Sequence, residues 1–128
     1  YATGNVTAGY SDERLKTKVG KIENAIETVK SIETFKYIHN DIARENGFTD
    51  NDIHVGVSAQ SVEAVLPEVV KHAPFDIQSL DGNIISKTGE WYKTVEYERL
   101  TPLLIEAIKE QQSQIDELKA LVNTLLAK

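Results

Sequence analysis

The chain has 128 residues, 41% of them hydrophobic, and a formal net charge of −6 at pH 7, which suits one domain of ordinary size with enough apolar residues for a core. It has no cysteine, which excludes disulfides, thiolate zinc sites and a Cys nucleophile, while the acidic balance argues against nucleic acid, whose phosphates require a basic face. No apolar run is long enough to span a bilayer and no secretory signal opens the sequence, so no membrane partner is expected and the chain should be soluble.

Residues 1 to 10, Tyr1-Ala2-Thr3-Gly4-Asn5-Val6-Thr7-Ala8-Gly9-Tyr10, hold small residues and β-formers without a helical period, as in a strand or linker arriving from upstream. Methionine is absent even at position 1, which points to a fragment or processed product. Leu15, Val19, Ile22, Ile26 and Val29 then recur at three- and four-residue intervals and predict a helix from about Glu13 to Ser31 with one apolar stripe. Thr34 to His39 reads as a strand, and Asn40 to Asp52 as a polar stretch with Gly47 as a helical-turn stop. Ile53, Val55 and Val57 alternate as a short strand. Ser58 can cap the following helix, which carries Val62, Val65 and Leu66 and is disturbed by Pro67. Asp81-Gly82, between apolar-bearing arms within Phe75 to Ser86, is the best hairpin signal.

The last segment carries the architecture. Pro102 fits the first turn of a helix with Thr101 as N-cap, and no Gly or Pro interrupts the run to Lys128, a span of roughly 40 Å. Ile108, Ile115 and Val122 repeat every seven residues, with Leu104, Gln111, Leu118 and Leu125 as the second row of a heptad seam. A competing reading packs this helix on its own domain. Leu121 and Leu126 widen the apolar face towards a trimer or larger bundle, whereas β-branched a positions with Leu at d lean towards dimers.

Ser11-Asp12-Glu13-Arg14-Leu15-Lys16 holds the chemistry. A serine activated by a lysine can cleave amides when the lysine is neutral, which burial against apolar groups favours. The plainer reading is a helix N-cap followed by solvated charges. On a continuous α-helix a separation of five turns the two side chains about 140° apart. A working pair therefore needs Ser11 in extended chain before the helix, or Lys16 from another chain. Lys18 and Lys21 are not excluded by spacing.

This hexapeptide resembles the start of the intramolecular chaperone auto-processing domains at the C-termini of phage tail spikes, tail fibres and neck appendages, the S74 peptidase family. Gly56-Val57-Ser58-Ala59-Gln60 running on to Leu66-Pro67-Glu68-Val69-Val70 is a second block that resembles it. Val95-Glu96-Tyr97 with Leu100, Leu104, Ala107, Ile108, Lys109 and Glu110 is a third, in the same order. The resemblance implies a homotrimer that helps the preceding β-rich stalk of its own precursor to fold and then cuts itself off. Ser11 would be nucleophile and Lys16 general base, and Asp12 and Arg14 would support the local geometry. Assembly would take place in the host bacterial cytoplasm and leave the processed stalk in the virion tail. The resemblance favours a cut between Ser11 and Asp12. Attack of Ser11 on the Tyr10 carbonyl, an N-to-O acyl shift through a five-membered ring, is also accessible, whereas attack on its own carbonyl needs a strained four-membered ring.

The expected fold is α+β, with long helices, small β-hairpin elements and the helix over 100–128 in a trimeric coiled coil. Residues 1–10 would end an upstream stalk and residues 11–128 form the chaperone domain. The seven glycines form neither a P-loop nor a dinucleotide fingerprint. His39, His54 and His72 stand in unrelated contexts, with no His-x-x-x-His pair and no carboxylate at ligand spacing, so no metal and no cofactor is expected. Trp91-Tyr92 reads as apolar packing, with docking on a stalk partner as the alternative for an exposed aromatic pair. The main alternative function is a noncatalytic trimerisation or receptor-binding tip of a fibre. A small helical adaptor unrelated to phage assembly is a third reading.

Overall fold

The computed structural model describes residues 10–128. The strand or linker expected over residues 1 to 10 lies outside them apart from Tyr10. In chain order the elements are α1 (Ala25–Ser31), β1 (Thr34–Tyr37), α2 (Asp41–Glu45), β2 (His54–Val57), α3 (Ala59–Val65), β3 (Val70–His72), β4 (Ile77–Leu80), β5 (Asn83–Ser86), β6 (Lys93–Val95) and α4 (Thr101–Leu126). Single 3₁₀ turns stand at Glu13–Leu15, Pro67–Val69, Pro74–Asp76 and Tyr97–Leu100. The fold is α+β, as expected.

The strands pair as three separate antiparallel ribbons, β1 with β2, β3 with β6 and β4 with β5. The first pairs Thr34 with Val57 and Tyr37 with His54. The third is the hairpin anticipated at Asp81-Gly82, whose φ angles of 51° and 81° are both in the left-handed region that a two-residue type I′ turn demands. Ser58 caps α3 as expected, its hydroxyl accepting from the Ser61 N–H at 3.1 Å.

Two small apolar clusters share Ile32 and Leu66. One gathers Ala25, Leu103 and Ala107, and the other Val62, Val69 and Val95. The second and third sequence blocks thus meet in space. The Val57 N–H donates to the Tyr97 hydroxyl at 3.2 Å, and a Cβ on Gly56 would stand 3.1 Å from both the Tyr37 ring and that hydroxyl. Glycine at position 56 is what lets the two rings close over β2.

Two sequence expectations are corrected. The helix predicted from Glu13 to Ser31 exists only as α1; before it lie one 3₁₀ turn and a non-helical run from Lys16 to Asn24. Among the described residues nothing covers the apolar stripe there, Val19 being 97% exposed. An unpartnered helix of this length is marginal, and Gly20 weakens it further. Thr101 is not an N-cap either. The Tyr97–Leu100 turn runs straight into α4, leaving Thr101 helical at φ −57°, ψ −46° and Leu100 at the cap position.

Helix α4 has 26 residues and ends at Leu126, close to the anticipated terminus. Its first turns pack on the body through the buried Leu103 and Ala107, so the own-domain reading holds there. From Gln111 onward every residue is exposed. The seam residues Leu104, Ile108, Ile115, Leu118, Val122 and Leu125 are all exposed, Ile108 by 65% and Leu125 by 66%. Gln111 lies exposed in the same row.

Candidate functional site

The 3₁₀ turn over Glu13–Leu15 does what a continuous helix could not. Asp12 starts it with extended backbone, its carbonyl accepting from the Leu15 N–H at 3.0 Å, and Lys16 leaves it extended at φ −125°, ψ 139°. The chain turns once and comes back, which places the Lys16 ammonium nitrogen 3.3 Å from the Ser11 hydroxyl oxygen and 5.8 Å from the centre of the Tyr10 ring. Lys18 is drawn aside by Glu13, Nζ to Oε1 2.8 Å.

Asp12 and Arg14 brace the turn. Arg14 donates its backbone N–H to the Asp12 carboxylate at 2.9 Å, its Nη2 at 2.7 Å and its Nε at 3.1 Å and 3.2 Å to the two oxygens. These bonds from the Arg14 side chain, then from its backbone, hold the Asp12 carboxyl below the ordinary carboxylate range. Ser11, Asp12, Arg14 and Lys16 are all exposed in the single chain. A serine with an amine at hydrogen-bond distance has the donor and acceptor needed for base-assisted attack once the amine is neutral.

The sequence reading missed a second cluster. His39 and His54, set apart as unrelated, both reach Asp50: His39 Nε2 to Oδ2 at 3.1 Å and His54 Nε2 to Oδ1 at 2.8 Å. Asp50 is in fact four residues from His54, a usable ligand spacing, but His39 joins only because β1 and β2 pair. Hydrogen bonding from His54 first, and then from the Asp52 N–H and His39, holds the Asp50 carboxyl down at about 2 despite the opposing effect of desolvation. The third histidine, His72, lies tilted against the exposed Trp91 with ring centres 4.9 Å apart, while Tyr92 stacks on Phe75 at 6.0 Å, the packing expected of it.

Asp76 is the one buried charged side chain among the described residues. Burial pushes its carboxyl up. The Thr88 side chain and N–H, the Ser86 hydroxyl and the Tyr92 N–H outweigh that effect with bonds of 2.7 to 3.0 Å and hold it at about 2. No local pattern in the sequence signals this network, which fastens the β4–β5 hairpin to the segment before β6.

Residues 11–71 match the Peptidase S74 family, described as a chaperone of endosialidase. The match begins at Ser11 and runs through the Gly56 block, which bears out the resemblance read from the sequence. The chain is also 31% identical over 110 residues to the long tail fiber protein Gp37 of Salmonella phage S16, an alignment that takes in 85% of this chain and 13% of that protein. The family carries a peptidase name alongside its chaperone description. No helix among the described residues is long and apolar enough to cross a membrane.

Proposed function

We propose that residues 11–128 are the intramolecular chaperone of a phage tail fibre, spike or appendage, acting as a homotrimer and releasing themselves by Ser11–Lys16 autoproteolysis. The observation that carries this reading is the 3.3 Å approach of Lys16 Nζ to Ser11 Oγ at the first residue of the family match. The fibre context rests on the phage relative. Residues 1–10 would then be the end of the β-rich stalk, folded by the trimer in the host cytoplasm and retained in the virion tail after the cut.

A general base needs the neutral amine, and Lys16 is exposed in one chain. Trimer assembly supplies the missing desolvation when a neighbouring subunit covers the arm. Cleavage then waits for correct folding. In the cut between Ser11 and Asp12, Lys16 takes the hydroxyl proton as Ser11 Oγ attacks the Ser11 carbonyl of a neighbouring chain. The C–N bond to Asp12 breaks, the lysine proton goes to the Asp12 amine, and water hydrolyses the ester. One chain's Ser11 cannot do this to its own carbonyl because of ring strain.

Intact mass of the purified precursor over time tests the scheme. Ser11→Ala and Lys16→Arg should remain trimeric and uncut, the guanidinium staying protonated, while Lys18→Arg should cut normally. The released fragment should begin at Asp12; a fragment beginning at Ser11 would place the cut one bond earlier, through the N-to-O shift. Normal cleavage in either Ser11→Ala or Lys16→Arg would eliminate the dyad and favour a noncatalytic trimerisation tip.

A further inference from the structure

The segment joining β1 to β2 is held in a fixed shape by side chains that do nothing for the apolar core. Asn40 caps α2 by accepting from the Ala43 N–H at 2.9 Å, and Gly47 turns the chain at φ 99°. Arg44 then gathers the returning loop, donating to the Thr49 carbonyl at 3.0 Å, the Asp50 carbonyl at 3.3 Å and the Asn51 side chain. The Asp52 N–H fixes the Asp50 carboxylate at 3.0 Å. Everything in this loop aims Asp50 at two imidazoles.

The imidazoles are held as firmly. His54 stacks on Tyr37 with ring centres 5.3 Å apart, and His39 lies against both Tyr37 and Phe48 at 6.2 Å and 5.7 Å. His39 keeps only 12% of its side chain exposed. One ligating atom from each of His39, Asp50 and His54 lies within 4.8 Å of the others. In a tetrahedral zinc site, bonds of about 2.0 Å put neighbouring ligand atoms about 3.3 Å apart. His39 Nε2 meets one Asp50 oxygen at 3.1 Å and His54 Nε2 the other at 2.8 Å, so a shared ion needs only a small rotation of the carboxylate to take one oxygen, with the three ligand atoms starting within 4.8 Å of one another. Two imidazoles with one carboxylate select against Mg²⁺ and Ca²⁺ and suit Zn²⁺, Co²⁺ or Ni²⁺.

We propose that His39, Asp50 and His54 form a binding site for a divalent transition metal of the Zn²⁺ class, with water in the fourth position, pinning the β1–β2 loop to its ribbon. Half-exposed Asp50 and His54 leave the side on which that water would sit open. Because the metal binds only the folded arrangement, it stabilises the domain by mass action.

The experiment uses untagged, chelator-stripped full chain titrated with ZnCl₂ by calorimetry, and with Co²⁺ by visible absorption. The expected result is one ion per chain, a tetrahedral Co²⁺ band with no thiolate contribution, and a rise in Tm with Zn²⁺ that Mg²⁺ does not reproduce. His39→Gln, Asp50→Asn and His54→Gln should each weaken binding by at least about tenfold, the scale at which even supporting contacts of a metal site count, while His72→Gln should leave it unchanged. Independently of any variant, Zn²⁺ should shift the imidazole ¹⁵N signals of two of the three histidines in the wild-type protein. A wild-type Kd weaker than about 10⁻⁴ M, binding that survives loss of His39 and His54 together, or a Zn²⁺ response centred on His72 would overturn the proposal and leave a hydrogen-bonded His–Asp–His clamp.

Discussion

Around Asp76 a polar group is buried and its bonds come from its own chain; along α4 beyond Glu110 apolar side chains stand exposed among the described residues. The first region is complete in one copy, while the second makes physical sense only when another surface covers it. The non-helical arm from Lys16 to Asn24 belongs with the second, since Val19 and Ile22 are exposed in the same way. On the proposed reading, a chain divided like this would stake its body on intrachain bonds and its ends on assembly. The candidate dyad lies in the part that assembly would finish.

The sharpest way to break the comparison is to attack the exposed seam. Replacing both Ile115 and Leu118 with Asp would bury charges in a trimer interface at a cost of several kcal/mol, more than a small assembly survives. Sedimentation at micromolar concentration should show the wild-type chain as a trimer and the variant as a monomer. The body should persist in that monomer, because Leu103 and Ala107 still anchor α4 to Ala25; an intact near-ultraviolet circular dichroism spectrum checks this. A monomeric wild-type chain would remove the seam's assigned role.

The next effect tests the self-sufficient region. Asp76→Asn keeps the shape but turns an amide N–H₂ towards groups that donate to the carboxylate, so Tm should fall by several degrees at neutral pH. The folded Asp76 carboxyl is held at about 2, below the ~3.9 of an unfolded chain. Its contribution is therefore fully present above about pH 4 and is lost as pH falls through about 2. The Tm gap between wild type and Asp76→Asn should narrow across that window. A gap that widens with acid would contradict the assignment. Asp50 titrates in the same range in both proteins, so the difference isolates Asp76.

What the sequence made legible was local. Ser58 as a cap and Asp81-Gly82 as a hairpin turn depend on neighbours within a few residues, and α4 on an uninterrupted apolar period. The stripe of Leu15, Val19 and Ile22 misled for the same reason: periodicity reports an apolar face and says nothing about whether that face has a partner in the chain. Lys16 reaching Ser11 depended on the chain choosing one 3₁₀ turn over a helix. Asp76 was illegible because its partners stand 10, 12 and 16 positions away. His39 and His54 were separated on paper by the loop whose ends the β1–β2 register brings together.

The smallest expected effect lies at the boundary between the two regions, in Glu110. Helix α1 begins after Asn24, which sits in the left-handed region at φ 52° and offers no side-chain cap. Its first N–H groups are met instead from α4, the Glu110 carboxylate accepting from Ala25 at 3.0 Å and from Ile26 at 3.4 Å. A negative charge at a helix N-terminus gains from both the hydrogen bonds and the helix dipole. Glu110→Ala should therefore lower unfolding free energy by about 1 kcal/mol, the usual value of a lost cap. Glu110→Gln keeps an acceptor oxygen and should cost less than half as much. Glu106→Gln, which removes an exposed ion pair with Lys109, should cost no more than about 0.5 kcal/mol. Denaturant midpoints of the three variants, measured at one protein concentration so that assembly is held constant, give the ranking. If Glu110→Ala were as mild as Glu106→Gln, α1 would be held by Ala25 and Ile26 packing alone and the clasp between α4 and α1 would carry no weight.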